Sequence, residues 1–312
     1  MSRLIALLCA ALWAGPPSAA APREIVVCSY NVENYLDAKP PGPDSKFGTK
    51  AKPENSIAAL IRIIRDIKPD ILGVCEMGSP ARFEDFKKRL AEAGLGYTDS
   101  EYVQAADEDR HLALLSRFPI ASRQSRTNVP FELDGRPEKV RRGFLDVTIQ
   151  VNPDYQLRMV GVHLKSKLPA PAGEALIRRF EATRLRAHLD GILQAEPKVN
   201  LLCYGDFNDY KNEPMFAEVT GVRGTASYMA DLWAKDSLGD RWTHYWRTAD
   251  LYSRIDYLFV SAALFGEVVK SKSRVYRGAD WDAASDHRPV YTSIIPVDRP
   301  HKSFAESAVE PE

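Results

Sequence analysis

The stretch from Val199 to Asp209, VNLLCYGDFND, carries two messages in eleven residues. Its first half is a short apolar run, the mark of a buried strand. Its second half delivers Asp206, Asn208 and Asp209 directly after Gly205. Alone, such a Gly-Asp-x-Asn sequence is an ordinary turn. It decides more because the same design recurs along the chain. "EIVVCSYN" runs out at Asn31, "ILGVC" at Glu76, and "RMVGV" at His163, followed by Lys165 and Lys167. Asp256 opens the run "DYLFV", and Asp286-His287 stand just before Pro289 and the run beginning at Val290. Nearly every strand-like segment thus brings Asn, Asp, Glu or His to one end. In a layered sheet the strand ends of one rim converge, and sites are built there.

Two further runs, "HLALLS" and "FLDVTIQV", read as strands. Helices stand between them. In "NSIAALIRIIRDIKPD", Ile57, Leu60, Ile61, Ile64 and Ile67 share one helical face, and Pro69 ends it. In "EALIRRFEATRLRAHLDGIL", Leu176, Ile177, Phe180, Leu185, Leu189 and Ile192 form a second stripe opposite an Arg-rich face. Many strands with a few interposed helices predict an α/β (α+β) layered fold of stacked sheets flanked by helices. Without repeats or linkers, residues 23–297 read as one domain, preceded by a signal peptide over 1–20 and followed by a polar tail over 298–312. The proline-rich stretch 38–53 reads as a long loop.

Composition narrows the function classes. Lys+Arg and Asp+Glu both number 42, so no bulk cationic field marks a passive nucleic-acid binder. The opening "MSRLIALLCAALWAGPPSAAAP" has Arg3, an apolar run and a small-residue box at Ser18-Ala19-Ala20, the layout of a secretory signal. The expected product is a secreted or periplasmic monomer without stable membrane insertion. Cys28, Cys75 and Cys203 each sit inside an apolar run and read as small buried hydrophobes.

The strand-end residues suggest a chemistry. Asn31, Glu76 and Asp286 offer hard oxygen ligands and no sulfur, a set suited to Mg²⁺, with Mn²⁺ or Ca²⁺ as substitutes. His163 and His287 can meet phosphate oxygens or handle protons near neutrality. Asp256 can orient His287 as a carboxylate orients the base of a hydrolytic triad. Hydrolysis of a phosphate ester by activated water needs this combination.

The stretches "SYNVEN", "GVCE", "HLALLSRFPI", "VGVHLKSK", "YGDFND", "RIDYLFVS" and "SDHRPV" together resemble, in order, the endonuclease/exonuclease/phosphatase superfamily, which includes deoxyribonuclease I. The resemblance implies a four-layer sandwich of two mostly antiparallel sheets with helices outside. It implies that Asn31 and Glu76 hold the metal, with Asp286 a direct or water-mediated ligand. By the same resemblance, His163 and Asn208 contact the scissile phosphoryl group, and Asp206 and His287, the latter paired with Asp256, share the proton handling. Which of the two takes the proton stays open.

Within the family, "HLKSK" and a secretory leader resemble exported bacterial nucleases, with Lys165 and Lys167 at alternate positions available to phosphate. Seven basic residues against three acids between Arg117 and Arg142 suit a nucleic-acid backbone. The aromatics Trp242, Tyr245 and Trp246 suit base stacking or core packing. The alternative is a phosphatase or phosphodiesterase of the sphingomyelinase or inositol-phosphatase kind. That reading calls for an exposed apolar hairpin, and no segment stands out as one. A non-catalytic interaction module is the third reading, disfavoured by the complete set of site residues.

Overall fold

The computed structural model describes residues 23–41 and 48–300; the segment read as a signal peptide and most of the polar tail lie outside them. The chain opens with β1 (Ile25–Tyr35), α1 (Glu54–Ile67), β2 (Ile71–Met77) and α2 (Pro80–Glu92). Short strands follow: β3 (Asp99–Val103), β4 (His111–Ser116), β5 (Ile120–Arg123), β6 (Pro130–Leu133) and β7 (Arg136–Lys139). The second half holds β8 (Leu145–Asn152), β9 (Tyr155–His163), α3 (Glu174–Ala195), β10 (Leu201–Asp206) and α4 (Pro214–Thr220). It closes with β11 (Ala230–Asp231), β12 (His244–Trp246), β13 (Leu251–Ser253), β14 (Asp256–Val260), α5 (Ala262–Phe265), β15 (Arg274–Val275), α6 (Trp281–Ala284) and β16 (Val290–Ile294). All eight strands expected from apolar runs are present.

They form two six-stranded sheets, ordered β15-β16-β1-β2-β4-β3 and β11-β14-β10-β9-β8-β5. Each sheet is antiparallel except for one central pair, β1–β2 in the first and β9–β10 in the second. Those are the pairs whose connections contain the long helices α1 and α3, as parallel neighbours require a crossover. Strand alternation then sorts the side chains into layers. Val27, Ile71 and Leu114 of the first sheet meet Val147, Met159, Leu202 and Leu258 of the second. Cys28, Leu72 and Val74 face outward against Ile57, Leu60 and Ile64 of α1. Val160, Leu201 and Cys203 do the same against Leu185 and Leu189 of α3. Each fully buried aliphatic side chain in these layers contributes about 1.5–3 kcal/mol. The result is the expected helix–sheet–sheet–helix sandwich, and the three cysteines are buried free thiols within it.

Two glycines bring backbone unusually close. A side chain at Gly73 on β2 would sit 2.0 Å from the ring of Tyr204, which projects from β10 in the other sheet. Gly205 has φ +142°, and a Cβ there would lie 1.9 Å from the Val162 carbonyl oxygen on β9. The second position is conformationally reserved for glycine.

Helix α3 departs from its expected stripe. Leu176 is exposed, and Arg178 and Glu181 lie on the buried face beside Ala182, Leu185 and Leu189. The reason is polar anchoring. Arg178 Nη1 donates to the Lys165 carbonyl at 3.1 Å, while Glu181 accepts the Lys165 and Arg141 N–H groups at 2.6 and 3.2 Å. These bonds fasten the loop that follows His163.

A buried acid far from that rim supplies a pH test. Glu267 accepts from the Tyr155 hydroxyl and the Arg299 N–H, and burial pushes its carboxyl up to about 7. A raised folded-state value favours the protonated acid. Its contribution is therefore complete below the unfolded value near 4.5 and is lost as pH rises through about 7. Glu267→Gln should flatten this loss, making the variant more stable than the parent at pH 8 by roughly 1 kcal/mol and little different at pH 4.5, as read by urea denaturation at both pH values.

Candidate active site

β1, β2, β9 and β10 run toward one rim, and β14 and β16, antiparallel to their neighbours, begin there. Register fixes the rest. Asn31 pairs with Cys75, which puts it beside Glu76; Asp206 pairs with His163 on one side and Asp256 on the other; Ser29 pairs with Val290, so 286–287 lie along the end of β1. The six strand ends meet at a single spot.

Two residues join the sheets. Asn31 Nδ2 lies 3.0 Å from Asp206 Oδ2, 3.3 Å from Glu76 Oε1 and 3.4 Å from His287 Nε2. Asp206 Oδ2 also stands 3.5 Å from His163 Nε2 and 3.7 Å from His287 Nε2, while its Oδ1 accepts the Asn208 N–H at 2.8 Å. His287 Nδ1 is 2.8 Å from Asp256 Oδ2. The Asn208 amide donates to the Leu164 carbonyl at 3.1 Å. Left-handed backbone concentrates here, at Glu33, Asn34, Glu76 and Asn208, as functional rims tend to store strain. The turn at Glu33–Asn34 aims two successive N–H groups at Asn31 Oδ1 (3.0 Å) and Glu76 Oε2 (2.8 Å).

Burial and neighbouring charge separate the protonation states. Burial raises the Asp206 carboxyl, to about 7, with Asp256 adding to the rise and His287 opposing it. Burial works to neutralise His287, but Asp256 and Asp206 outweigh it and hold the imidazole well above its ordinary value, as a cation. His163 is driven the other way by burial, then by Arg142, and stays neutral.

The mouth of the site fits a hard divalent cation. Burial, then repulsion from Asp286 and Glu76, raises the Glu33 carboxyl, and the nearest offset is Lys52, whose ammonium is 3.8 Å from Glu33 Oε2. Glu33, Glu76 and Asp286, which repel one another here with Lys52 and Arg110 as the nearby cations, are oxygen donors of the kind Mg²⁺-like ions take. Glu76 and Asp286 would hold the ion, with Asn31 and Glu33 beside them.

Glu33 was not singled out by sequence: it sits on the left-handed turn that interrupts β1 beyond Asn31, where strand alternation stops applying. Arg110 was also missed: its Nε donates to Asn34 Oδ1 at 2.8 Å and lies 3.9 Å from Glu76. Lys165 departs from its expected substrate-facing role. Its ammonium folds back onto the Ser166 and Leu168 carbonyls at 3.0 and 2.7 Å, because the loop anchored by α3 ends strand geometry at His163. Lys167 pairs with Asp209 at 2.7 Å. In the basic stretch, Arg123 is taken up by Asp99 and Glu101, and Arg142 by Asp107.

The aromatic segment forms a ribbon beside the site. β12 and β13 pair Tyr245 with Tyr252 and Trp246 with Leu251. Tyr245 and Tyr252 stack at 4.5 Å, yet Trp246, Leu251 and Tyr252 remain largely exposed. An exposed apolar hairpin therefore exists in a segment that does not stand out as one by composition, its polar residues Arg247, Asp250 and Ser253 masking it. Between this ribbon, Trp281, Glu33 and Asp286 lies a pocket of about 230 Å³.

Comparison with known proteins places this geometry. No curated protein matches the sequence significantly. Among solved structures, the human Nocturnin catalytic domain with bound sulfate shares 18% identity and a TM-score of 0.60, over 86% of this chain and 93% of its own. Truncated Caenorhabditis elegans TDP2 shares 16% with a TM-score of 0.58, over 87% and 97%. Sphingomyelinase C from Streptomyces griseocarneus shares 16% with a TM-score of 0.57, over 87% and 99%. At such identities the likeness is one of fold. The sequence profile of the Endonuclease/Exonuclease/phosphatase family, however, matches residues 28–287, and with that span covered the chain belongs to this family.

Proposed function

We propose that the protein is an exported, divalent-metal-dependent phosphodiester hydrolase, and that its substrate is nucleic acid. Family members are hydrolases of phosphate esters and are generally metal-dependent. The observation that carries the reading is the junction at Asp206, where carboxylate, neutral imidazole and acid-paired imidazolium from two sheets face one another.

In this mechanism the ester phosphate sits among His163, Asn208 and His287. Neutral His163 donates a hydrogen bond to a phosphoryl oxygen, and the His287 imidazolium, oriented through Nδ1 by Asp256, stabilises charge developing on another. Asp206, the carboxylate with the raised affinity for a proton, accepts one from the attacking water as the phosphorus–ester bond breaks. Glu76 and Asp286 would hold a divalent cation, which would supply charge neutralisation to the reaction.

Nucleic acid is favoured by Trp246 and Tyr252 standing exposed beside Arg247, since aromatic faces stack on bases while a cation meets the backbone. A second reading rests on the same ribbon: with Leu251 it forms an apolar tip able to touch a lipid surface, which suits a lipid-headgroup esterase. Plasmid DNA, RNA, sphingomyelin vesicles and bis-p-nitrophenyl phosphate, each with Mg²⁺ and then EDTA, distinguish them. Cleavage of DNA or RNA that EDTA abolishes is expected. Turnover of vesicles alone selects the lipid reading, and metal-independent or absent hydrolysis of all four rejects both. Glu76→Ala should lower Mg²⁺-supported turnover at least about 100-fold and abolish the Mg²⁺-induced rise in melting temperature.

A further inference from the structure

Beside the oxygen-rich mouth lies a second cluster with different donors. His244 on β12 is held against the Asp286–Arg288 segment by a pair of backbone hydrogen bonds. Tyr245 N–H donates to the Asp286 carbonyl at 2.9 Å and Arg288 N–H to the Thr243 carbonyl at 2.6 Å. This bridge sets the His244 and His287 rings 4.7 Å apart, tilted by 49°. Asp286 reaches both: Oδ2 is 3.6 Å from His244 Nε2, and Oδ1 is 3.9 Å from His287 Nε2. One ligand atom from each of the three residues lies within 4.8 Å of the others.

We propose that His244, Asp286 and His287 form a transition-metal site that takes Zn²⁺ in preference to Mg²⁺ and switches the catalytic centre off when filled. Four features support it. First, the donors suit the ion: two imidazoles and one carboxylate are zinc ligands, whereas Mg²⁺ selects oxygen. Second, the spacing is close. With bonds of about 2.1 Å, tetrahedral ligands stand roughly 3.4 Å apart, so the observed separations need only modest closure.

Third, both rings are anchored from behind. His287 Nδ1 meets Asp256 at 2.8 Å and His244 Nδ1 meets the Ser253 hydroxyl at 3.2 Å. Ligating histidines are ordinarily oriented through the other nitrogen in this way, leaving Nε2 for the metal. Fourth, the site is reachable: the Asp286 side chain is 40% and that of His244 19% exposed, and Asp286 lines the 230 Å³ pocket. Three protein ligands leave a fourth position for water. Filling the site commits His287 Nε2, the atom that faces Asp206, and releases the imidazolium proton from it. The inhibitory consequence rests on the proposed hydrolase function; the binding site does not.

The test is a calorimetric titration of the purified protein with Zn²⁺ in excess Mg²⁺, alongside bis-p-nitrophenyl phosphate hydrolysis. One Zn²⁺ should bind per chain, with turnover falling in parallel. His244→Ala should weaken binding and shift the inhibition midpoint by at least about 10-fold, while leaving the zinc-free rate within about threefold of the parent. Ser253→Ala, which removes only the tether, should weaken binding by about 10-fold. Unchanged Zn²⁺ affinity in both variants, displacement of Zn²⁺ by Mg²⁺, or stoichiometric Zn²⁺ with full turnover would overturn the proposal. Should the protein hydrolyse nothing, the titration alone decides the site, and the hydrolase reading fails separately.

Discussion

Replacing Asp206 with asparagine is expected to cut kcat/KM by about 10³-fold while leaving the chain folded, since a positioned proton acceptor is typically worth 10²–10⁴ in rate. The substitution is nearly isosteric, and the asparagine carbonyl can still accept the Asn208 N–H that fixes this side chain. What disappears is the basic oxygen 3.5 Å from His163 and 3.7 Å from His287. Relief of the buried carboxylate is offset where the new amide meets the Asn31 Nδ2 donor at 3.0 Å and the His287 imidazolium loses a counter-charge, so the melting temperature should fall modestly while the variant stays folded. Single-turnover kinetics on the cleaved substrate, with circular dichroism melting alongside, check both halves. A variant within tenfold of the parent rate would transfer the proton-accepting role elsewhere.

The second large effect is expected at Gly205→Ala, one residue earlier. A methyl group there would stand 1.9 Å from the Val162 carbonyl oxygen, and φ of +142° excludes ordinary side chains besides. Relief requires β10 to move away from β9 at the end of their parallel pairing, where Asp206 faces His163. Strain of this kind costs about 2–4 kcal/mol, a large share of a domain's stability. Urea denaturation should show that loss, and turnover should fall with it even under conditions where the variant is folded. Wild-type stability in Gly205→Ala would mean that the strand end relaxes freely.

Much of this was legible beforehand because strand ends announce themselves. An apolar run broken by Asp206, His163 or Glu76 contains both the element and its direction, and the ordered motifs extended that to the two-sheet fold. The residues that escaped did so for identifiable reasons. Glu33 lies past the point where the run looks apolar, on a left-handed turn that periodicity does not encode. Arg178 belongs by pattern to the Arg-rich outer face of α3, because charge normally marks it; here it and Glu181 fasten a loop through bonds formed across more than ten residues of chain. Lys165 was read by strand parity, which stops applying when the strand stops. His244 becomes visible only through its bridge to His287, distant in sequence, and the ribbon is a local hairpin whose interleaved polar residues hide its apolar face.

The close approach of Tyr204 to Gly73 has a consequence beyond packing. Asn31 and Glu76 ride on one sheet, His163, Asp206 and Asp256 on the other, so the sandwich is a pair of jaws with half of the proposed site on each. The tyrosine ring stands between them, against the bare backbone of Gly73. An enzyme built this way has its working distances calibrated inside its hydrophobic interior, and heating that loosens the bite should silence it before the chain unfolds.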